Sequence, residues 1–319
     1  MYRRAALNFP TARRLHGVAH QQGHHLRAPR LPRAAIDEAR HTFADISRIV
    51  PNLEAPDLSY AREPGHVHSV SEKLQQNGIL KVTLGFADSK SQYLERLLWS
   101  LHQSHGHQLP IAHSATRGWF WDVLPATTSF QTANCQARSE TMEEFPWHTD
   151  CSYENPPPRY FALHVLQPDR YGGGTLSVMN VERLSELLSP TTRISLARPE
   201  YLIRTPPEFT KHPSQQHIVG SLLLADEEGR PTMMRFREDL LTPLSERAAA
   251  ALEELKQALQ GTEAQSHSTL HLTPKTLPEQ SIILIDNRRW LHARNHIKDP
   301  ERHLRRVRWD AVPFPSASA

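Results

Sequence analysis

The chain is short of cysteine, of long apolar runs and, at its N-terminus, of negative charge. Its two cysteines, Cys135 and Cys151, cannot staple a small secreted fold, and such sparse usage fits a reducing intracellular compartment. The longest apolar stretches, such as Leu222–Ala225 and Ile282–Ile285, fall far below the roughly 20 residues that cross a bilayer, which excludes a transmembrane helix. Apolar residues still make up 38% of 319, enough for a sizeable core and too many for a disordered chain.

The first 36 residues hold seven arginines (Arg3, Arg4, Arg13, Arg14, Arg27, Arg30 and Arg33) and no lysine, acid or serine. These seven belong to 37 basic residues set against 34 acidic ones, so the rest of the chain carries −4 while the whole carries +3. A nucleic-acid binder carries its positive charge on the folded body, and this body has none in excess, which argues against DNA or RNA as a partner. An arginine-rich, acid-free start fits a mitochondrial transit segment, although the lack of serine does not. Residues 1–36 are therefore expected to be a basic arm or a transit segment, with the cytoplasm as the default location.

Residues 37–319 are expected to form one domain. Ile36, Phe43, Ile46 and Val50 fall on one helical stripe that ends at Pro51. Tyr93, Leu94, Leu97, Leu98 and Leu101 predict a helix over Ser91–His102, and Ile79–Leu84 predicts a strand before it. Further strands are expected at Thr128–Thr132, Arg159–Gln167, Thr175–Asn180, His217–Ala225, Met233–Arg237, Ser268–Leu272, Ser281–Asp286 and Leu304–Trp309. One helix interrupts them, capped by Ser245, striped by Leu252, Leu255 and Leu259, and stopped by Gly261. Many short strands separated by turns, with few helices, predict a mainly β sandwich or barrel with helical decoration.

Twenty histidines are many for this length. His24-His25 lie in the tail, His66-Val67-His68 in a segment that resembles a loop, and His102, His105, His107 and His113 around the end of the predicted helix. Each group has the chemistry for a metal, but they are expected to be exposed or hydrogen-bonded histidines. His148-Thr149-Asp150 differs in kind. Imidazole and carboxylate two positions apart share a face of extended backbone and suit Fe(II), Mn(II) or Zn(II). Chance alone gives roughly two such pairs in this composition, so the surroundings decide. Gly172-Gly173-Gly174-Thr175 follows, its threonine 27 residues after His148. His292 follows the strand at Ile282–Ile285, and Arg302 and Arg306 stand ten and fourteen residues beyond it. On a strand these two arginines share a face, and arginine's planar fork suits a carboxylate.

Taken together, Trp147-His148-Thr149-Asp150, Gly172-Gly173-Gly174-Thr175, Asp286 through Arg294 and Arg302 through Arg306 make the chain resemble the taurine dioxygenase-like (clavaminate synthase-like) family of Fe(II)/2-oxoglutarate-dependent oxygenases. The resemblance spans roughly residues 80–312 and implies a double-stranded β-helix, or jelly-roll, core. It implies iron held by His148, Asp150 and His292, and 2-oxoglutarate held by Arg302 with Thr175 beside it. Arg306 would meet either 2-oxoglutarate or an acidic group of the substrate. The implied reaction uses O2, converts 2-oxoglutarate to succinate and CO2, and hydroxylates, desaturates or cyclises a small carboxylate-bearing or amino-acid-like substrate. A metal-dependent hydrolase or isomerase on a similar barrel would explain the three ligands but give Arg302 and Thr175 no task. A non-catalytic ligand-binding barrel would leave the intact ligand set unexplained. Cys151, Trp121 and Trp147 are expected to be packing residues.

Overall fold

The computed structural model describes residues 49–112, 118–126, 136–210, 216–226 and 228–314. The arginine-rich arm, most of the stripe from Ile36 to Val50, the expected strand at Thr128–Thr132, His113 and Cys135 lie outside the described residues. Among those described, no helix is long and apolar enough to cross a membrane.

The strands, in chain order, begin with β1 (Asn52–Ala55), β2 (Ile79–Leu84), β3 (Trp121–Val123), β4 (Phe145–His148) and β5 (Pro158–Gln167). They continue with β6 (Leu176–Asn180), β7 (Tyr201–Arg204), β8 (His217–Gly220), β9 (Leu223–Ala225) and β10 (Pro231–Met234). The last five are β11 (Leu241–Pro243), β12 (Thr269–Leu272), β13 (Ser281–Asp286), β14 (Trp290–Arg294) and β15 (His303–Ala311). One sheet runs β1-β2-β13-β5-β15-β3 and a second runs β12-β6-β14-β4. Their inner faces share one core, in which Phe161, Leu163, Ile283, Ile285 and Leu304 meet Leu176, Val178, Leu272 and Trp290. This is the expected mainly β, double-stranded β-helix architecture.

Both faces of β13 are covered, which explains its unbroken apolar sequence. Ile283 and Ile285 point into the space between the sheets. Ile282 and Leu284 point outward beneath two helices, α1 (Pro64–Asn77) and α2 (Gln92–His105), whose Val70, Leu74, Leu94, Leu97 and Leu101 cover that face. Helix α2 confirms the expected stripe. Its first turn is capped by the Asp88 carboxylate, which accepts from the Gln92 and Tyr93 amides at 2.9 and 2.8 Å. Helix α1 corrects the loop expected around His66-Val67-His68. Its apolar positions are sparse, but Glu63 caps it, Pro64 opens it and Gly78, at φ 68°, ends it. His66 there pairs with the Tyr93 hydroxyl at 2.6 Å, so it is a satisfied core histidine.

Two short helices, α3 (Val181–Glu186) and α4 (Pro190–Leu196), follow β6 and pack with α5 (Glu246–Gln260) over the hairpins β7–β8 and β9–β10. Helix α5 has the cap at Ser245, the leucine stripe and the stop at Gly261 that the sequence predicts. The stretch expected as one strand over His217–Ala225 is two, broken at Ser221-Leu222.

His164 is buried on β5, its Nδ1 2.8 Å from the Ser91 hydroxyl. Burial pushes its pKa down to about 4. The unfolded chain then binds a proton below its ordinary pKa of 6.5 that the folded chain refuses until about pH 4. Its contribution is therefore complete above pH 6.5 and lost as pH falls toward 4. Thermal midpoints should fall across that window, and by less in His164→Phe; an equal fall in the variant would contradict this assignment.

Candidate active site

His148 ends β4 and lies directly opposite His292 on β14, so cross-strand register alone brings the two rings together, with centroids 4.1 Å apart. His148 Nδ1 donates to the Pro146 carbonyl at 2.8 Å, which leaves Nε2 free to accept. Its ring stacks on Phe145 at 3.7 Å. Asp150 sits in the turn after β4, where the Asn287 side chain clamps its backbone: Oδ1 accepts from the Asp150 amide at 2.7 Å and Nδ2 donates to its carbonyl at 2.9 Å. Thr149 is held by the Phe236 backbone: its amide donates to the Phe236 carbonyl at 2.7 Å, and its Oγ1 accepts from the Phe236 amide at 3.1 Å.

Asp150 Oδ1 is 3.9 Å from His148 Nε2 and 3.8 Å from His292 Nε2. The three residues are buried, and their ligand atoms lie within 4.8 Å of one another. Burial pushes the His148 pKa well below 6.5, reinforced by His292, so the imidazole is neutral and able to coordinate. Burial alone would raise the Asp150 pKa, but Arg306, His292 and Arg308 outweigh it and keep the carboxylate ionised. Asp150 Oδ2 and His292 Nδ1 are buried without a hydrogen-bond partner. Two imidazoles that wall a cavity, with one carboxylate beside them, fit a divalent cation.

The cavity beside them is walled by His148, His292, Phe161, Leu163, Leu176, Arg294, Arg302 and Arg306, among others. Arg302 is 5% exposed, and its Nη1 has no partner. Burial, and then the charge of Arg294, push its pKa down to about 9, while Asp169 opposes them. Arg306 donates to Asp150 Oδ1 at 3.1 Å and also lines the cavity. Thr175 differs from these predicted residues. It stands just before β6, its amide donates to Asn295 Oδ1 at 2.7 Å, and it is not among the residues walling the cavity. Register explains why: Leu176 pairs with Arg294, so the inward position falls on Leu176.

Several residues with no local signature complete the site. Asp169 accepts four amide bonds, from Tyr171 and Gly173 on one side and Lys298 and Asp299 on the other, at 2.7–3.1 Å. It thereby ties the glycine loop to the segment that leads into Arg302. Gly174, at φ 63°, lies against Arg302, where an added Cβ would stand 2.6 Å from its Nε. Arg294 donates to the carbonyls of Ser139, Thr141 and Glu143, fastening that segment over the cavity. Only the motif containing Arg294 was visible in the sequence. The remaining expected packing residues behave as such: Trp121 is fully buried, Trp147 packs on the helical core, and burial pushes the Cys151 thiol up to about 12. The residues expected near His102 are engaged elsewhere, His102 Nδ1 with the His107 carbonyl and His107 with Trp309 Nε1.

Residues 45–308 match the family described as Taurine catabolism dioxygenase TauD, TfdA family. An L-asparagine oxygenase of Streptomyces coelicolor is 29% identical over 164 residues, covering 48% of this chain and 45% of that protein, so the match spans less than half of that relative's length. Asparagine oxygenase in complex with Fe(II), 3-hydroxyasparagine and succinate superposes with a TM-score of 0.62 at 19% identity, covering 79% of this chain and 82% of that one. The non-heme iron oxygenase OrfP in complex with Fe and alpha-ketoglutaric acid gives 0.59 at 16% identity, covering 88% and 93%. At these identities the structural likeness speaks for the fold.

Gly174→Ala should destabilise the protein by at least the ~1–3 kcal/mol that a left-handed non-glycine residue costs, because the added methyl also meets Arg302. Urea unfolding measures this. A loss below about 0.5 kcal/mol would mean that the close approach imposes no constraint.

Proposed function

Because the chain belongs to the taurine catabolism dioxygenase TauD, TfdA family, we propose that it is an iron(II)- and 2-oxoglutarate-dependent oxygenase of a small amino-acid-like substrate. The observation that carries the proposal is a buried two-histidine, one-carboxylate group whose histidines wall the same cavity as a buried arginine with an unpartnered Nη1. His148, Asp150 and His292 would hold the iron through both Nε2 atoms and the Asp150 carboxylate. Arg302 would take the distal carboxylate of 2-oxoglutarate, a pairing strengthened by its dry surroundings. When bound, iron and 2-oxoglutarate supply the oxidising chemistry, with O2 consumed and succinate and CO2 formed.

The chain's own residues do the positioning. Asn287 fixes the backbone of Asp150, Pro146 fixes the His148 tautomer, and Arg306 orients the Asp150 carboxylate. Phe145, Phe161, Leu163 and Leu176 exclude water from the cavity. Arg306 would also meet an acidic group of the substrate that approaches the same wall. An amino-acid-like substrate is supported by the relatives, whose complexes contain hydroxyasparagine and hydroxyarginine. Thr175 would assist 2-oxoglutarate only after its side chain turned toward the cavity, so it is the weakest member of the proposed set.

Purified protein supplied with Fe(II), 2-oxoglutarate and O2 should form succinate, with the rate rising when a matching amino acid is added. Asp150→Ala should abolish turnover, since two imidazoles alone hold iron poorly. Arg302→Ala should raise the KM for 2-oxoglutarate by about 10- to 100-fold, the worth of a charge-assisted hydrogen bond. An unchanged KM in Arg302→Ala would refute its assignment, and normal turnover in Asp150→Ala would refute the metal site.

A further inference from the structure

Outside the cavity, two more arginines are buried, one of them with no compensating charge. Arg235, which follows β10, is 5% exposed, and Arg288, in the turn between β13 and β14, is 8% exposed. Their segments touch, since the Met234 amide donates to the Arg288 carbonyl at 2.8 Å. Among the described residues, the Arg235 guanidinium meets no carboxylate and no carbonyl. Its Nε is buried without a partner, and its face lies 4.5 Å from the centre of the Phe314 ring. The charge that acts on it is the like charge of Arg288. Arg288 gives Nη2 to the Val312 carbonyl at 3.0 Å and also leaves its Nε unpartnered.

The nearest acids are already committed. Asp286 accepts from the Arg288 amide at 3.1 Å and pairs with Arg159 at 3.5 Å. Asp310 accepts from the Gln108 amide at 3.0 Å and lies 4.0 Å from Arg159. Asp286 and Asp310 still act on Arg288, whereas no counter-charge acts on Arg235, and desolvating a cation in that position is costly.

We propose that Arg235 and Arg288 form a second anion site, separate from the cavity of Arg302, that takes a small oxyanion of the carboxylate or sulfate type between two guanidinium groups. Its place gives it a consequence. Arg235 precedes Phe236, which holds Thr149 by backbone bonds, and Arg288 follows Asn287, which clamps Asp150. An anion joining the two arginines braces both segments that support the His148–Asp150 turn.

The test is isothermal titration of sulfate, and separately of acetate, into anaerobic protein loaded with Fe(II) and 2-oxoglutarate, at constant ionic strength. Wild type should show one saturable site for at least one of the two anions. Arg235→Gln and Arg288→Gln should each weaken it at least tenfold, while Arg302→Lys leaves it unchanged. Binding of acetate alone would identify a carboxylate ligand, and binding of sulfate an oxyanion of the sulfate or phosphate type; both support the site. No saturable heat in wild type, or the same isotherm in Arg235→Gln, would overturn it. Should Arg235→Gln fail to fold, Arg235→Lys keeps one charge without the fork and should still weaken binding. Retention of the site in Arg302→Lys is independent of the iron and 2-oxoglutarate assignment, so the two proposals fail separately.

Discussion

Positive charge buried inside the barrel is the constraint on which the site depends. Arg294, Arg302, Arg306 and Arg308 all reach inward from β14 and β15 or the turn between them, each less than a tenth exposed. Burying a guanidinium is tolerated only where acceptors meet it. Three of the four show how this is done here: Arg294 spreads over three backbone carbonyls, Arg306 rests on Asp150, and Arg308 lies against Cys151. Arg302 is the exception, with one long contact to the Gly174 carbonyl at 3.5 Å and Nη1 unpartnered. A fold that holds this charge out of water and leaves it incomplete is prepared for an anion.

The rest of the architecture keeps that arrangement rigid. The inner faces of two sheets supply the apolar walls, and helices α1 and α2 close the outer face of the larger sheet. Asp169 joins the glycine loop to the segment before β15, and the Arg170–Asp299 pair, bonded at 2.6 and 2.9 Å, closes the same junction. Bracing residues therefore flank the candidate site residues, as preorganised chemistry requires.

Much of this was legible in the sequence, for identifiable reasons. His148 and Asp150 are neighbours in the chain, and His292, Arg302 and Arg306 lie within fifteen residues, so order and spacing preserve their relation. The strands at Ile79–Leu84 and Ser281–Asp286 were legible because each alternates or is wholly apolar and ends at turns. Asp169, Asn287 and Gly174 act through partners more than 120 positions away, which no local pattern records. Helix α1 escaped because its stripe holds few apolar residues among polar ones; its caps, rather than its period, define it. Thr175 shows the converse limit. A residue can sit at the family's spacing while the register of the next strand gives the inward position to its neighbour.

The most direct test of the central claim is anaerobic addition of 2-oxoglutarate to iron(II)-loaded protein, followed by visible absorption. Chelation of 2-oxoglutarate by iron at this site predicts a weak charge-transfer band that saturates with 2-oxoglutarate and is lost in Asp150→Ala. Folded, iron-loaded protein with no such band would contradict the account.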